Sequence, residues 1–158
     1  MRELIVHGSG RDAEHADKVV RVFTQHLAAN GLRLTGQRRL ILDQLLKADH
    51  HLSQDEIYLA LRPRGVGRAT VFRTLKTLQE CGLISPVIGR DGTSRFEVEL
   101  DRPHHDHLIC VQCGRIQEVR WPALERIQDE ACRKAGFTPK WHRHEVFGLC
   151  KECAKKPG

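Results

Sequence analysis

Residues 104–113 bring together three kinds of metal ligand: imidazole, carboxylate and thiol. Imidazole and carboxylate suit borderline divalent ions, whereas a Cys-x-x-Cys pair is typical of zinc sites. If the segment is a β-strand, its side chains alternate between faces, so that His105 and His107 share one face and His104 and Asp106 the other. The sequence therefore predicts two nitrogen and oxygen sites, with the cysteines contributing to a third. The alternative is a surface histidine cluster that binds no metal.

Two Cys-x-x-Cys pairs predict the third site, and their members are Cys110, Cys113, Cys150 and Cys153. Four thiolates complete a tetrahedral zinc shell and leave no open position, which is typical of structural zinc. In a small domain the free energy of metal binding then contributes to folding. The alternative is four unrelated thiols. Cys81 and Cys132 have no such spacing and are predicted to be core thiols.

The composition limits the class of protein. The chain has 158 residues, enough for one domain or two small ones. No apolar run has the length of a membrane span, and the N-terminal segment is too charged for a signal peptide. We therefore expect a cytoplasmic protein with no membrane partner. In that reducing compartment, six cysteines favour metal binding over disulfides.

Positive charge is concentrated in one segment. The formal net charge is +6, and residues 33–76 hold nine Lys or Arg against four Asp or Glu, a net of +5. Such a concentration is typical of a surface that binds nucleic acid. A basic face that only contacts solvent is the alternative.

The N-terminal part predicts a winged helix. After an arm at residues 1–12, helical periodicity begins near Ala13 and ends at Asn30-Gly31, and Thr35 caps a second helix. A third helix starts at Ser53, with Glu56 completing a capping box, and a fourth covers about residues 68–81. Two strands at 83–88 and 94–98 flank an Asp-Gly turn. The alternative is a helical domain of unknown purpose.

The fourth helix has the pattern of a DNA-reading element. Val71, Leu75 and Leu78 form its apolar stripe and are predicted to be buried. The opposite side carries arginines, small polar residues and one aromatic ring, which can contact base edges in a major groove. These candidates for DNA contact are Arg68, Thr70, Phe72, Arg73, Lys76 and Thr77.

The C-terminal part predicts a second, smaller domain. Strands are expected at 107–111 and 115–119, a helix from Pro122 to Gly136, and a third strand across 137–147. The fold class is therefore α+β. We place the DNA-binding domain at residues 1–100, including an N-terminal extension of about 1–15, and the metal-binding domain at 101–158.

From about residue 17 to 153 the chain resembles the ferric uptake regulator family of bacterial metal sensors. The motifs that carry the resemblance are GLRLTxxR at 31–38, RATVFRTL at 68–75, HHDHLICxxCG at 104–114, and His142 followed by GLCxxC at 148–153. The resemblance implies winged-helix DNA-binding domains joined by C-terminal α/β dimerisation domains into a homodimer, with a tetramer as an alternative. It also implies metal-dependent repression at double-stranded operator DNA, no small-molecule substrate and no enzymatic activity.

The resemblance also assigns site residues. A regulatory metal site between the domains corresponds to His51, Glu97, His105, His107 and Glu118. An additional site in the dimerisation domain corresponds to His104, Asp106, Glu125 and His142. The paired cysteines correspond to structural zinc. The motif at 31–38 adds Arg33, Thr35 and Arg38 to the DNA-binding set, with Arg33 as a basic residue that reaches the minor groove.

Two positions depart from the family's usual pattern. Phe72 stands where the family commonly has Tyr, so the ring is retained and the hydroxyl contact is lost. His144 replaces an apolar residue and adds an imidazole near His142.

For the regulatory ion, imidazoles with carboxylates and no thiolate favour Fe(II), Mn(II), Co(II) or Zn(II) over Cu(I). Peroxide-sensing relatives tend to carry Asp where Glu97 and Glu118 stand, and zinc-responsive ones bring a Cys to the site. We therefore expect an iron-responsive repressor, with peroxide, manganese or zinc responses as alternatives. A zinc hydrolase and a zinc-ribbon module that binds protein are alternatives from other classes.

Overall fold

A computed structural model describes residues 13–89, 92–101 and 103–155. Within them the chain divides between residues 101 and 103 into two compact units. The predicted arm at 1–12 and two residues of the predicted Asp-Gly turn, Arg90 and Asp91, lie outside the described residues. Among the described residues, no helix has the length and apolar character needed to cross a membrane.

The N-terminal unit contains the four predicted helices. They are α1 (Ala13–Ala29), α2 (Gly36–Lys47), α3 (Gln54–Leu61) and α4 (Arg68–Glu80), with a short 3-10 turn at Arg62–Arg64. The Thr35 side chain accepts from the Arg38 N–H at the start of α2, and Ser53 and Glu56 form the predicted capping box at α3. Each cap satisfies backbone donors that have no partner within the helix.

Two helix ends depend on glycine. Gly31 after α1 and Gly82 after α4 have φ values of 68° and 69°, which a side chain would disfavour. In both places the next N–H bonds back to the last turn: Leu32 to the Leu27 carbonyl, and Leu83 to the Leu78 carbonyl. The glycine after α4 therefore sets where that helix ends and the following strand begins.

The wing is a three-stranded antiparallel sheet with the order β1-β3-β2. Its strands are β1 (Leu52–Ser53), β2 (Ile84–Ile88) and β3 (Ser94–Val98). The predicted hairpin is present, with Ile88 opposite Ser94. The two-residue β1 was not predicted, because no periodic pattern marks a strand of that length.

One apolar cluster holds the N-terminal unit together. Val19, Phe23 and Leu27 of α1 are fully buried in it. The predicted α4 stripe, Val71, Leu75 and Leu78, packs into the same cluster, joined by the β3 residue Val98. The core therefore fixes which face of α4 points inward and leaves the opposite face for another partner.

The C-terminal unit is a second three-stranded sheet with one helix of more than a few residues. Its elements are β4 (Asp106–Cys110), β5 (Ile116–Val119), α5 (Pro122–Lys134), β6 (Glu145–Gly148) and a short α6 (Lys151–Ala154). The order is β5-β4-β6, with β4 antiparallel to β5 and parallel to β6. The winged helix followed by this smaller unit confirms the predicted α+β class.

Two sequence predictions for this unit are wrong. The third strand was expected across 137–147 but covers only Glu145–Gly148. A strand persists only where a neighbour accepts its hydrogen bonds, and Glu145 pairs with His107 near the start of β4; Pro139 also lacks an N–H. The predicted buried thiol of Cys132 is only half-buried, and α5 has no buried residue.

Candidate metal centres and DNA-reading surface

Four cysteines meet at one end of the C-terminal sheet. Cys110 ends β4, and parallel pairing of Cys110 with Gly148 brings the second Cys pair to the same end. The four sulfurs lie within 4.8 Å of one another, and the Cys113 and Cys150 sulfurs are 3.8 Å apart. Nearby, Arg115 donates to Glu152 at 2.7 Å, so that an ion pair also joins the two segments. The four cysteines of the two Cys-x-x-Cys pairs therefore lie in one cluster, as their spacing predicted.

The electrostatics of this cluster favour a bound cation. The Cys113 N–H donates to the Cys110 sulfur and lowers the pKa of Cys110 to about 6, and the Cys150 N–H donates to it at 3.3 Å. Loss of solvation, together with the neighbouring sulfurs, raises the pKa of Cys153 to about 12. The Cys110 thiol therefore ionises more easily than a free cysteine, whereas the Cys153 thiol ionises less easily. A divalent cation removes this conflict because it stabilises all four thiolates. The cluster is therefore compatible with structural zinc.

A second cluster lies at the opposite end of β4. Its members are His104, Asp106, Glu125 and His142, whose ligand atoms all lie within 4.8 Å of one another. The His104 Nε2 is 3.2 Å from the Asp106 Oδ1 and 3.6 Å from the Glu125 Oε1. The His142 Nε2 is 3.0 Å from the same Glu125 oxygen. Two imidazoles and two carboxylates in this arrangement suit a divalent transition metal.

Two features of the second cluster fit an ion better than an ordinary ion-pair network. Asp106 is 1% exposed, and its Oδ2 has no hydrogen-bond partner within the part of the chain that the structure describes. A buried carboxylate oxygen without a partner is costly unless a cation binds it. In addition, the side-chain amide of Gln128 contacts the His142 Nδ1 at 2.8 Å and leaves Nε2 directed at Glu125. Outer contacts of this kind orient ligating imidazoles.

Within the N-terminal unit, the structure brings together two of the predicted regulatory ligands. His51 immediately precedes β1, and β1 pairs with β3 so that Leu52 lies opposite Phe96. The next pair along is therefore His51 and Glu97, whose Nε2 and Oε1 are 3.1 Å apart. Both side chains are buried. The short strand β1 is what makes this contact.

Within the C-terminal unit, the structure gathers the other three. His105 and His107 have ring centroids 5.1 Å apart, and both side chains are buried. Glu118 of β5 lies opposite His107 in the β4–β5 register. Residues directly opposite each other share a face of the sheet, so these groups stand on the face away from Asp106. Each unit therefore contains a preassembled part of the predicted ligand set.

The outward face of α4 presents the predicted DNA-reading residues. Phe72 is 56% exposed although it is a large apolar side chain, and Arg73 and Lys76 are also exposed. Thr70 is half-buried. Lys76 lies 3.9 Å from Glu80, a solvent-exposed pair that releases its lysine at little cost. An exposed aromatic ring between basic residues has no role in the core and suits contact with bases and phosphates.

Three other predicted contacts already have partners within the protein. Thr35 caps α2, and Arg38, half-buried, donates to the Arg33 carbonyl at 2.6 Å. Arg68 pairs with Asp55, and its guanidinium lies 4.2 Å from the centre of the Tyr58 ring. These three residues therefore hold backbone or helices in position as well as being near the basic face. Arg33 itself is exposed.

The sequence reasoning missed several participants. Asp55 and Tyr58 stand on α3, far along the chain from Arg68, and nothing local marks the contact. Gln128 was detectable in principle, because it lies three residues after Glu125 and such residues share a helix face.

A winged helix with an exposed basic recognition helix, followed by a sheet with thiolate and imidazole clusters, defines the class of metal-sensing transcription regulators. The ferric uptake regulator family matches residues 29–147, and the chain belongs to that family. Its members are transcriptional regulators and not enzymes, so this protein is a metal-dependent DNA-binding repressor, and the hydrolase alternative is excluded.

Individual relatives share most of the chain's length. The peroxide operon regulator of Bacillus subtilis is 36% identical over 132 residues, covering 82% of this chain and 90% of that protein. The Helicobacter pylori ferric uptake regulator, described with three functional metal-binding sites, superposes with a TM-score of 0.83 at 28% identity, covering 90% of this chain and 96% of that one. The Francisella tularensis ferric uptake regulator with iron gives 0.72 at 31% identity, covering 79% and 96%.

Replacement of Cys150 by serine tests the thiolate cluster. The Cys150→Ser variant should contain about one metal ion per chain fewer than wild type and unfold at a lower temperature, because the lost metal contributed to folding. Metal analysis of the purified protein and a thermal unfolding curve measure both effects. Cys132→Ser is the matched control, since this thiol belongs to the same unit but not to the cluster. Equal metal content in the Cys150→Ser variant and wild type would contradict the site.

Proposed function

We propose that this protein is an iron-responsive repressor that works in the cytoplasm and binds operator DNA as a homodimer when a divalent ion occupies its regulatory site. That site consists of His51, Glu97, His105, His107 and Glu118. The observation that carries the proposal is the burial of ionisable side chains in each unit: His51 beside Glu97 in one, and His105 beside His107 in the other. Buried groups of this type are retained for a cation or for one another.

The proposed mechanism depends on which domain supplies each ligand. Residues 1–100 form the DNA-binding domain and residues 101–158 the dimerisation domain. An ion held by ligands from both domains fixes the angle at which each recognition helix meets DNA. Without the ion, the two reading helices of the dimer have no fixed spacing and cannot enter successive major grooves together. A coupling free energy of about 1–3 kcal/mol between metal and DNA gives a response of about 5- to 150-fold.

Two further ions have separate roles in the proposal. Zinc on the four cysteines is structural, since a complete thiolate shell leaves no position for a regulatory ligand to exchange. A second divalent ion binds His104, Asp106, Glu125 and His142. The Asp106 Oδ2 has no hydrogen-bond partner in the described residues, which supports the proposal that a cation binds there.

Iron is proposed for the regulatory site because its donors suit a borderline divalent ion and because Glu, not Asp, stands at positions 97 and 118. Imidazoles with two carboxylates and no thiolate suit Fe(II), and Mn(II), Co(II) or Zn(II) can substitute in such a set. Peroxide-responsive repression is the second candidate, because proteins named as peroxide regulators in Bacillus subtilis and Staphylococcus aureus are each 36% identical to this chain. Against it, Glu stands at 97 and 118, where the family resemblance associates Asp with peroxide sensing.

DNA recognition is proposed for residues of the basic segment and the recognition helix: Arg33, Thr35, Arg38, Arg68, Thr70, Phe72, Arg73 and Lys76. Phe72 and Arg73 face outward on α4 and are the candidates for base contact. Thr35, Arg38 and Arg68 have internal partners and act by holding the surface in position.

The homodimer is supported by apolar surface on the C-terminal unit. Val146 and Phe147 of β6, which is an edge strand among the described residues, and Leu149 just after it are each about half exposed, and Ile127 of α5 is 65% exposed. Isolated proteins rarely leave a strand edge and neighbouring apolar side chains uncovered together. A second copy of the same surface covers both across a two-fold axis.

The double substitution His105→Ala/His107→Ala tests the regulatory site. It should abolish metal-dependent DNA binding while the cysteine-bound ion and the fold remain, because it removes two ligands far from the thiols. Binding is measured to a duplex selected from a random library by the metal-loaded wild type, at several salt concentrations, with and without Fe(II) under anaerobic conditions. His50→Ala, an exposed histidine paired with Asp49, is the control. Unchanged metal-dependent affinity in the double variant would refute the mechanism.

A peroxide challenge separates the two candidate responses. Iron-loaded protein is treated with a small excess of hydrogen peroxide, then reduced and reloaded with Fe(II) before DNA binding is measured. An iron sensor recovers its affinity, whereas a peroxide sensor, in which the reaction of bound Fe(II) with peroxide has oxidised a ligand covalently, does not. Persistent loss together with added oxygen on a regulatory histidine by mass spectrometry would favour the second candidate.

Substitution of Arg73 tests whether the outward face of α4 contacts DNA. Arg73→Ala should weaken binding to the selected duplex by about 1–3 kcal/mol and relax base preference at one position if Arg73 contacts a base. A uniform loss across sequences, with a salt slope smaller by about one, would instead mark a phosphate contact. Arg126→Ala, an exposed arginine on α5, is the matched control. Wild-type affinity in the Arg73→Ala variant would contradict the assignment of this face to DNA.

Phe147 tests the dimer. A lysine at this edge-strand position places a charge in the proposed interface, so that Phe147→Lys should shift the protein from dimer to monomer. Sedimentation or light scattering measures the change. Leu59→Lys, at an apolar position 59% exposed in the other unit, should leave the dimer intact. A dimer that persists in the Phe147→Lys variant would remove β6 from the interface.

A further inference from the structure

His144 stands beside the second metal cluster without belonging to the four-residue set. Its Nδ1 lies 3.5 Å from the Asp106 Oδ1, and its ring centroid is 4.9 Å from that of His142. That nitrogen is buried and has no hydrogen bond within the part of the chain that the structure describes. The buried His144 nitrogen therefore faces Oδ1 of the same carboxylate whose other oxygen, Oδ2, has no hydrogen-bond partner in the described residues.

The strand register explains why His144 points there. Glu145, the next residue, is paired with His107 on the face that carries Glu118. Side chains alternate, and the His144 carbonyl still accepts from the His107 N–H at 3.2 Å, so the extended backbone continues one residue before β6. His144 consequently stands on the Asp106 face of the sheet. His142, two residues earlier, reaches the same side.

We propose that His144 is a ligand of the ion bound by His104, Asp106, Glu125 and His142, and that it sets the metal preference of that site. This inference rests on the proposed occupancy of the four-residue cluster. With His144 the donor set becomes three imidazoles and two carboxylates. Imidazole favours Co(II), Ni(II) and Zn(II), whereas oxygen donors favour Mn(II). The added nitrogen therefore selects against Mn(II).

The distances support coordination better than a direct hydrogen bond. Two donors that each lie about 2.1 Å from one ion are about 3.0 Å apart at an angle of about 90°, about 3.4 Å at the tetrahedral angle and about 3.6 Å at about 120°. The separation of 3.5 Å between His144 and Asp106 fits that range, but it is long for a charge-assisted hydrogen bond, which measures about 2.7–2.9 Å. The other donor pairs of the cluster, at 3.0, 3.2 and 3.6 Å, fall at similar values.

The experiment isolates this site in the full-length chain. The background is His105→Ala/His107→Ala with the cysteine cluster loaded with zinc, which removes two ligands of the regulatory site and leaves the second cluster intact for added Co(II) or Mn(II). Three substitutions are made separately in this background: His144→Leu, His144→Asn and His142→Ala. His50→Ala is the control. Calorimetric titration gives each affinity, and the Co(II) absorption spectrum reports the number and type of ligands.

If His144 coordinates the ion, His144→Leu weakens Co(II) binding by about tenfold or more and changes the Co(II) spectrum, while Mn(II) affinity changes by less than about threefold. His144→Asn distinguishes a second explanation, because its amide can donate a hydrogen bond to Asp106 without supplying imidazole. If asparagine restores wild-type Co(II) affinity and spectrum, His144 only orients Asp106 and the inference is overturned.

Failure of this inference and failure of the four-residue site give different results. Co(II) binding that is lost in His142→Ala but identical in the background protein and in His144→Leu leaves the four-residue site standing and removes His144 from it. No Co(II) binding in the background protein overturns both. Thermal unfolding of each variant separates loss of a ligand from loss of the fold.

Discussion

Alternation of side chains along β4 is the constraint on which the metal chemistry of this protein depends. Within five strand residues, one face presents Asp106 toward α5 and the other presents His107 toward Glu118, while Cys110 ends the strand among sulfurs. Alternation separates Asp106 from His107, and the length of β4 separates Asp106 from Cys110 on the same face, so three donor sets are kept apart although their ligands are close in sequence. Each set can then select an ion by its own donors: thiolate for zinc, imidazole and carboxylate for iron-like ions.

Pairing between strands that are far apart in sequence brings the remaining ligands to the clusters at β4. β6 is parallel to β4, so the residues before it reach the Asp106 end and those after it reach the Cys110 end. One four-residue strand thereby delivers His142 to one cluster and Cys150 to another. In the N-terminal unit, β1 also brings distant ligands together. Its two residues pair with β3, and this pairing places His51 beside Glu97.

Local signals were sufficient to predict most of the fold and the thiolate cluster. Caps at Thr35 and Ser53, glycine stops and the apolar stripe of α4 depend on residues within one or two turns, and Cys-x-x-Cys spacing is itself local. The failures were non-local. β1 is too short to show a period, and the strand expected at 137–147 ends where its partner ends. Alternation within residues 104–107 separated two nitrogen and oxygen sets, but their ligands from other elements came from the family resemblance, because single histidines and glutamates carry no pattern of their own.

The parallel pairing of β6 has a consequence for biosynthesis. The N-terminal unit closes its core with residues up to Val98, so it can fold while the ribosome is still making the rest. The C-terminal sheet cannot close until β6 and Cys153 have emerged, because its third strand and half of its sulfurs come last. A nascent chain halted near residue 140 would thus have a folded N-terminal unit but incomplete metal sites. Such a product could contact DNA but could not respond to metal.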